Sequence, residues 1–392
     1  MKRRVGTHLE YHLLVLVTLG LVAFGLVMVY SASSARALLA ADAPSYYLKR
    51  QAAYAVMGLI ALVVLSRLDF RRLRGVGSPL VLATFVLLVA VLVVGTAVNG
   101  ARRWLPLGFI DFQPSELAKL ALALWVAALL ARRPAPKSLN ELLKPIGLVV
   151  GAACALILIE PDLGTAIAIA IMVSAILVVS GTPLRVLGGA AAIGVTLVLA
   201  AIWIEPYRRE RVFSFLDPWH DPQGAGFQSV QAMIALGSGG IFGVGLGESV
   251  QKIFYLPEAS TDMIFAIVGE ELGLVGAAAV VLAFAVFGYA GFNIALRCRD
   301  PFGKRLAAGI TALVCGQAAV NVSAVMGLAP LTGIPLPFVS YGGSSLVVGL
   351  AAVGILLNIA SNHAVARETE VPDRSRRNRR SRPAGTRRRR VA

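Results

Sequence analysis

Apolar residues dominate this chain in runs of nearly constant length. Stretches of about 17–23 hydrophobic residues fall near 12–32, 51–66, 78–97, 114–131, 145–160, 163–181, 184–204, 306–327 and 341–360, with a longer one near 262–296. At 1.5 Å rise per residue, such a run crosses the ~30 Å hydrocarbon core of a bilayer as a helix. No run alternates with period two, so a membrane barrel is excluded. Lipid then leaves only helices, because every backbone N–H and C=O must be bonded within the segment. The pattern predicts an all-α polytopic membrane protein of about ten transmembrane helices, the eighth long enough to tilt, bend or protrude.

The polar positions gather elsewhere. Four connections, 98–115, 159–164, 205–261 and 328–345, hold most of the prolines and glycines outside the spans, with Trp104 and Trp219. Loops on a rigid scaffold carry function, which points to the face they share. The largest lies between spans seven and eight. Within it Phe227, Val230, Met233 and Ile234 recur at helical spacing opposite Gln228 and Gln231, predicting a short helix in the interface plane. The glycines of 237–247 lack a Gly-Lys-Ser/Thr ending and a preceding soluble strand, which excludes a phosphate-binding loop.

Composition and charge refine this. A chain of 392 residues with 57% hydrophobic and 15% charged residues has too little charge to cover a soluble surface. With an even number of spans both termini share a side. Counting Lys and Arg with the termini inside places 27 on the inner segments and 9 on the outer ones; without the C-terminal tail the inner count is still 16. The positive-inside rule therefore predicts a multi-pass protein with cytoplasmic termini and an extracytoplasmic large loop. Met1-Lys2-Arg3-Arg4 leads into a run without a small-residue cleavage site, read as a retained first span. The sequence divides into a membrane domain, 1–362, and a disordered Arg-rich cytoplasmic tail, 363–392, carrying 11 Arg and three acids. The tail suits a topology anchor touching anionic lipid, or docking to a cytosolic partner. With no aromatic residues between its arginines it does not suit nucleic acid. Cys154, Cys298 and Cys315 have no metal or disulfide spacing, and the four histidines form no cluster.

Candidate chemistry begins at "LPEASTDMIFAIVGEELG", 256–273, where a chain that avoids charge sets Glu258 and Asp262 at the mouth of a span and Glu270 and Glu271 inside it. Ser260 or Thr261 is the expected N-cap, placing Asp262 in or next to the first turn. An isolated Asp there is explained by the helix dipole alone. Ala266, Gly269, Gly273 and Gly276 follow at 4-3-4-3 spacing, so the face below Asp262 is small, permits close approach and turns inward. Glu270 is roughly 12 Å deeper and Glu271 lies on the far side; buried intramembrane acids are costly unless paired or functional. In "NGARRWLPLGFIDFQPSELAKL", Pro114 marks a helix start and Glu116 and Lys119 share a face, as a structural pair or as part of a cavity. Arg102 and Arg103, with Arg208, Arg209 and Arg211, run against the positive-inside trend and fit an anionic partner or ordinary lipid phosphate. "EPDLGTA", 160–166, breaks a hairpin with two acids; "GIPLPFVSYGGSS", 333–345, is irregular until a helix starts near Ser344 and Ser345, so it lines a cavity.

Taken together and in order, these motifs, with "DPQGAGFQSVQAMIALGSGGIFGVGLG" and "YLPEASTDMIFAIVGEELG", resemble the SEDS family (shape, elongation, division and sporulation proteins) over nearly the whole chain except the tail. "FLDPWHDPQGAGFQ" and the "GEELG" ending are more similar to its division branch than to its elongation branch. The resemblance implies a ten-span fold in the bacterial plasma membrane, peptidoglycan glycosyltransferase activity on lipid II, action at the division septum, and partnership with a class B penicillin-binding transpeptidase and other division proteins. It places the family's catalytic Asp on Asp262, its Glu–Lys pair on Glu116 and Lys119, and its loop Arg on Arg103. Glu258, Arg208, Arg209, Arg211 and Ser344 complete the candidate substrate-binding set. Ser260 and Met263 stand where the family usually has His and an aromatic residue, so a His proton relay is not expected. The residues indicate no protein-held metal, although the charge of a pyrophosphate leaves a role for a divalent cation such as Mg or Mn. A transporter that flips lipid II, an elongation-type polymerase and a non-catalytic division scaffold are the competing expectations.

Overall fold

The computed structural model describes residues 5–39, 43–98, 101–108, 110–204 and 206–369. Among the described residues fourteen α-helices and three short strands follow one another, with a 3-10 turn at Phe70–Gly75 between the second and third helices: α1 (Val5–Leu39), α2 (Tyr46–Arg67), α3 (Gly77–Val94), β1 (Thr96–Val98), β2 (Ala101–Leu107), β3 (Ile110–Phe112), α4 (Pro114–Arg132), α5 (Leu139–Leu142), α6 (Leu148–Ile159), α7 (Leu163–Ser180), α8 (Leu184–Ile204), α9 (Pro206–Leu216), α10 (Phe227–Ser238), α11 (Gln251–Phe254), α12 (Ile264–Arg297), α13 (Pro301–Val325) and α14 (Gly343–Thr369). Ten helical segments among the described residues are long and apolar enough to cross a membrane, at the expected places. One of them combines α5, α6 and the wider turn Leu143–Gly147 between them, where Pro145 offers no N–H to a regular ladder. The expected disordered tail lies, beyond Thr369, outside the described residues; α14 runs past the anticipated boundary at 362.

The centre of the bundle is α4, α13 and α14, the most buried of the spans, while the apolar window of α8 stands wholly at the rim. Glycine permits a close approach between α2 and α14. A Cβ on Gly58 would lie 2.6 Å from the Leu350 side chain, and one on Gly354 2.5 Å from the Leu62 carbonyl oxygen. The end of the bundle away from the long loops is tied by charge. Arg297 bonds the buried Glu10 at 2.6 Å, and Arg74 bonds Asp300, the N-cap of α13, at 3.2 Å.

Two features depart from expectation. The 98–115 connection is not a plain loop: β1, β2 and β3 form an antiparallel sheet in that order, which bonds backbone groups that the end of the bundle would otherwise strand. The α10 helix buries Val230, Ala232 and Ala235 against α12, so its small residues meet protein, while Ile234, assigned to the apolar stripe, is exposed.

Candidate active site

Four irregular segments converge at the loop-bearing end, and Asp262 lies among them. The chain turns from Glu258, in the left-handed region at φ 55°, and the amides of Thr261 and Met263 both bond the Glu258 carbonyl, at 3.0 and 3.3 Å. The Thr261 hydroxyl donates to the Glu258 carbonyl (3.0 Å) and faces the Glu258 carboxylate (3.0 Å) and Asp262 Oδ1 (3.3 Å). It is therefore occupied and does not cap α12. The N-cap is Met263, without a side-chain bond, and neither Ser260 nor Thr261 fills the capping role expected from the sequence. Asp262 sits just before that N-cap, two residues ahead of the first helical residue, half-buried, with its main chain fixed. Asn321 Nδ2 donates to the Asp262 carbonyl (2.7 Å) and to that of Ile334 (2.8 Å).

The 328–345 segment forms the facing wall. Gly333 is exposed at φ 71°, and a Cβ there would be 4.0 Å from Asp262 Oδ2. Its positive φ is why glycine stands there, and its exposure sets the carboxylate beside an exposed stretch of this wall. Arg211, from α9, donates to the Leu331 carbonyl at 3.2 Å and offsets the charge on Asp262. Burial, then the neighbouring Glu258 charge, raises the Asp262 carboxyl to about 6 against the opposing pull of Arg211 and the Thr261 bond. A carboxylate held there is ionised at neutral pH and still a competent proton acceptor.

The other expected residues surround this point in distinct roles. Gly164, in "EPDLGTA", packs so tightly under the facing wall that a Cβ would lie 2.9 Å from the Thr332 carbonyl oxygen. Asp162 caps α7 through the Thr165 amide (2.9 Å) and accepts from Gln113 Nε2 (3.3 Å). Arg103 uses Nε and one terminal nitrogen on the carbonyls of Glu160 (2.7 Å) and Pro161 (2.5 Å). The Glu160 carboxylate itself is fully buried without a hydrogen-bond partner; burial, then the Asp162 charge, raises it to about 8. Ser344, near the start of α14, accepts from the Gln113 amide (3.0 Å) and donates to the Asp111 carbonyl (3.1 Å), pinning the sheet to that helix. Glu116 and Lys119 pair at 2.7 Å, with side chains only 4% and 2% exposed, inside the bundle below Pro114. Arg209 is half-buried, and the side chain of Arg208 lies outside the described residues.

Sequence reasoning missed the partners of Glu270 and Glu271. Lys252 Nζ bonds Glu271 Oε1 at 2.8 Å, the Gly247 carbonyl at 2.5 Å and Ser31 Oγ at 3.1 Å, and the Ser31 hydroxyl donates to Glu271 at 2.6 Å. Glu270 accepts from the Ser249 hydroxyl and from the amides of Val250 (3.1 Å) and Gln251 (3.4 Å). Lys252 reads in the sequence as one more loop cation; only the "GEE" acids hinted that a buried base was needed. The glycine run also has its function. The α12 helix is broken at Gly273 (φ 65°, ψ −161°), and the loop fits the break: the Val244 and Gly245 amides bond the Glu270 and Glu271 carbonyls, at 3.0 and 3.1 Å. The small face at Gly269 and Gly273 thus admits Leu236 of α10 and this loop instead of another span.

Among the described residues no three His, Cys, Asp or Glu side chains stand close enough to hold a metal ion, so these side chains alone do not supply a cation's ligand set.

Comparison with known proteins places this arrangement. A family model described as cell cycle protein matches residues 11–365. The chain is 41% identical over 351 residues to the probable peptidoglycan glycosyltransferase FtsW of Geobacter metallireducens, covering 89% of this chain and 94% of that one. It is likewise 41% identical over 353 residues to stage V sporulation protein E of Bacillus subtilis, covering 89% and 96%. Its fold matches a chain from a peptidoglycan synthase complex that coordinates polymerization and crosslinking, with a TM-score of 0.74, 34% identity, and 89% and 97% coverage. It also matches the rod shape determining protein RodA of Thermus thermophilus, with a TM-score of 0.65, 30% identity, and 89% and 96% coverage. With ten bilayer-length helices, the loop-end carboxylate and these likenesses in hand, the chain belongs to the FtsW/RodA/SpoVE, or SEDS, family and is FtsW-like within it.

Proposed function

We propose that this chain is a peptidoglycan glycosyltransferase that polymerises lipid II during septal wall synthesis, with Asp262 as general base. The observation that carries the reading is the half-buried Asp262 carboxylate, raised to about 6, facing the exposed Gly333 and flanked by Arg211. The names carried by its FtsW relatives support the same activity.

Glycan growth requires an acceptor sugar hydroxyl to attack an anomeric carbon as a prenyl pyrophosphate leaves. Asp262 takes the hydroxyl proton while the new C–O bond forms. The departing pyrophosphate needs no proton, so one carboxylate suffices for inversion, unlike the pair used in glycoside hydrolysis. Arg211 is shared between the Leu331 carbonyl and the field of Asp262; turning toward the pyrophosphate, it stabilises developing charge and strengthens the base it leaves. Arg103 sits on the neighbouring wall with carbonyls orienting its guanidinium, and Arg208 and Arg209 on α9 add positive charge. The buried Glu116–Lys119 pair shapes the floor without reaching solvent, and Ser344 braces the sheet. No step is assigned to a divalent cation.

The Lys and Arg distribution supports cytoplasmic termini, which puts this site on the outer face. A class B penicillin-binding transpeptidase and other division proteins are the partners this reading calls for, and the likeness to a peptidoglycan synthase complex supports the first. Broken helices and buried charge also suit a lipid II transporter. The test is glycan synthesis from labelled lipid II by purified protein in detergent micelles, with the transpeptidase present. Micelles have no leaflets to cross, so polymer made by the wild type and lost in Asp262→Asn establishes the transferase. Normal polymer from Asp262→Asn refutes the base; none from either protein favours transport.

A further inference from the structure

The break in α12 changes what holds Asp262 in place. Residues 264–272 form a half-helix of nine residues, about 13 Å long, with Asp262 just beyond one end and Gly273 at the other. At φ 65° and ψ −161° Gly273 has a conformation open essentially to glycine alone, so helix continuity does not fix the half-helix to residues 274–297. The longer part takes hold of the same loop, through the Leu274 and Val275 amides on the Gly240 and Ile241 carbonyls (2.9 and 3.2 Å), and is anchored at the opposite end of the bundle through Arg297 and Glu10.

The half-helix is held at its inner end by the loop instead. The carbonyls of Glu270 and Glu271 receive the amides of Val244 and Gly245, and the side chains of the same two residues enter the turn before α11. Lys252 there satisfies all three of its ammonium protons, on Glu271, Ser31 and the Gly247 carbonyl. The three side chains are buried, at 8% for Lys252, 0% for Glu271 and 6% for Ser31. Ser31 belongs to α1, so this knot joins the large loop, the half-helix and a membrane span. We infer that Lys252, Glu271 and Ser31 are positioning residues, a buried ionic latch that sets where the Asp262 carboxylate stands. This rests on the reading of Asp262 as base. A lever of about 13 Å that swings by about 10° carries its tip about 2 Å, more than the roughly 1 Å misplacement that costs a hundredfold in rate.

The test measures polymerisation in micelles with Lys252→Met, with Glu271→Gln and with the double variant Lys252→Met/Glu271→Leu. Each single variant is expected to lower kcat about a hundredfold, with KM for lipid II changed less than about threefold. The double variant leaves no orphaned charge and is expected to recover at least about tenfold of that loss. Hydrogen–deuterium exchange supplies a readout independent of activity: in the single variants residues 244–245 and 264–272 lose protection, while α13 and α14 keep theirs. Single variants with wild-type kcat, losses confined to KM, or losses that multiply in the double variant overturn the latch. If the single variants fail to fold, Ser31→Ala decides by the same kcat measurement, with about a tenfold fall expected and no fall overturning the idea. Inactive Asp262→Asn beside fully active Glu271→Gln would sink the latch alone. Active Asp262→Asn would sink the base, and the exchange result would still judge the latch.

Discussion

Acid should silence this enzyme at a pH where an ordinary aspartate would still be ionised. Asp262 is raised to about 6 by burial and then by Glu258, so its base form dominates above that pH and is lost as pH falls through it. From about pH 7 to about pH 5 the ionised fraction drops roughly tenfold, against less than about a tenth for an aspartate with the reference value near 3.9. The measurement is kcat/KM for lipid II polymerisation in micelles, which reports the free enzyme's essential groups. The substrate's pyrophosphate diester does not titrate in this window. Two variants fix the cause by sign. Glu258→Gln removes a charge that raises the carboxyl and shifts the acid limb down; because burial is the larger cause, the limb stays above the ordinary range. Arg211→Gln removes a charge that lowers it and shifts the limb up. A flat profile down to about pH 5, or a limb moved downward by Arg211→Gln, would refute the assignment.

Further predictions concern the frame of the site. Lys119→Met leaves Glu116 charged and buried, so the protein should lose about 3–5 kcal/mol, read as earlier thermal unfolding in detergent, while Glu116→Leu/Lys119→Met should be far less harmful. Equal losses in the two would show that the pair's charges are not coupled. Gly243→Ala would set a Cβ 2.1 Å from the Glu271 carbonyl oxygen at a residue with φ 83°, so the glycine loop should leave the α12 break and 264–272 should lose exchange protection. Retained protection would mean that the loop does not hold the half-helix.

The sequence by itself determined the membrane architecture. Burial in lipid is decided locally, by about twenty apolar residues and their internal hydrogen bonds, so the ten spans fell where the hydropathy put them. Asp262, Glu258, Arg103 and Ser344 were legible because a polar residue beside a span stands out against so apolar a background. Pairings between distant segments were not. That Ser31 and Lys252 meet Glu271, that Gly333 faces Asp262, and that glycines 239–245 fill a broken helix depend on residues up to 240 positions apart. Hydrophobic periodicity records which residues leave water, and it contains no term for the partner each finds. The tertiary structure decided those partners because the backbone and charged groups freed at Gly273 had to be bonded inside the bundle, and only the large loop carried the glycines and the lysine to do it.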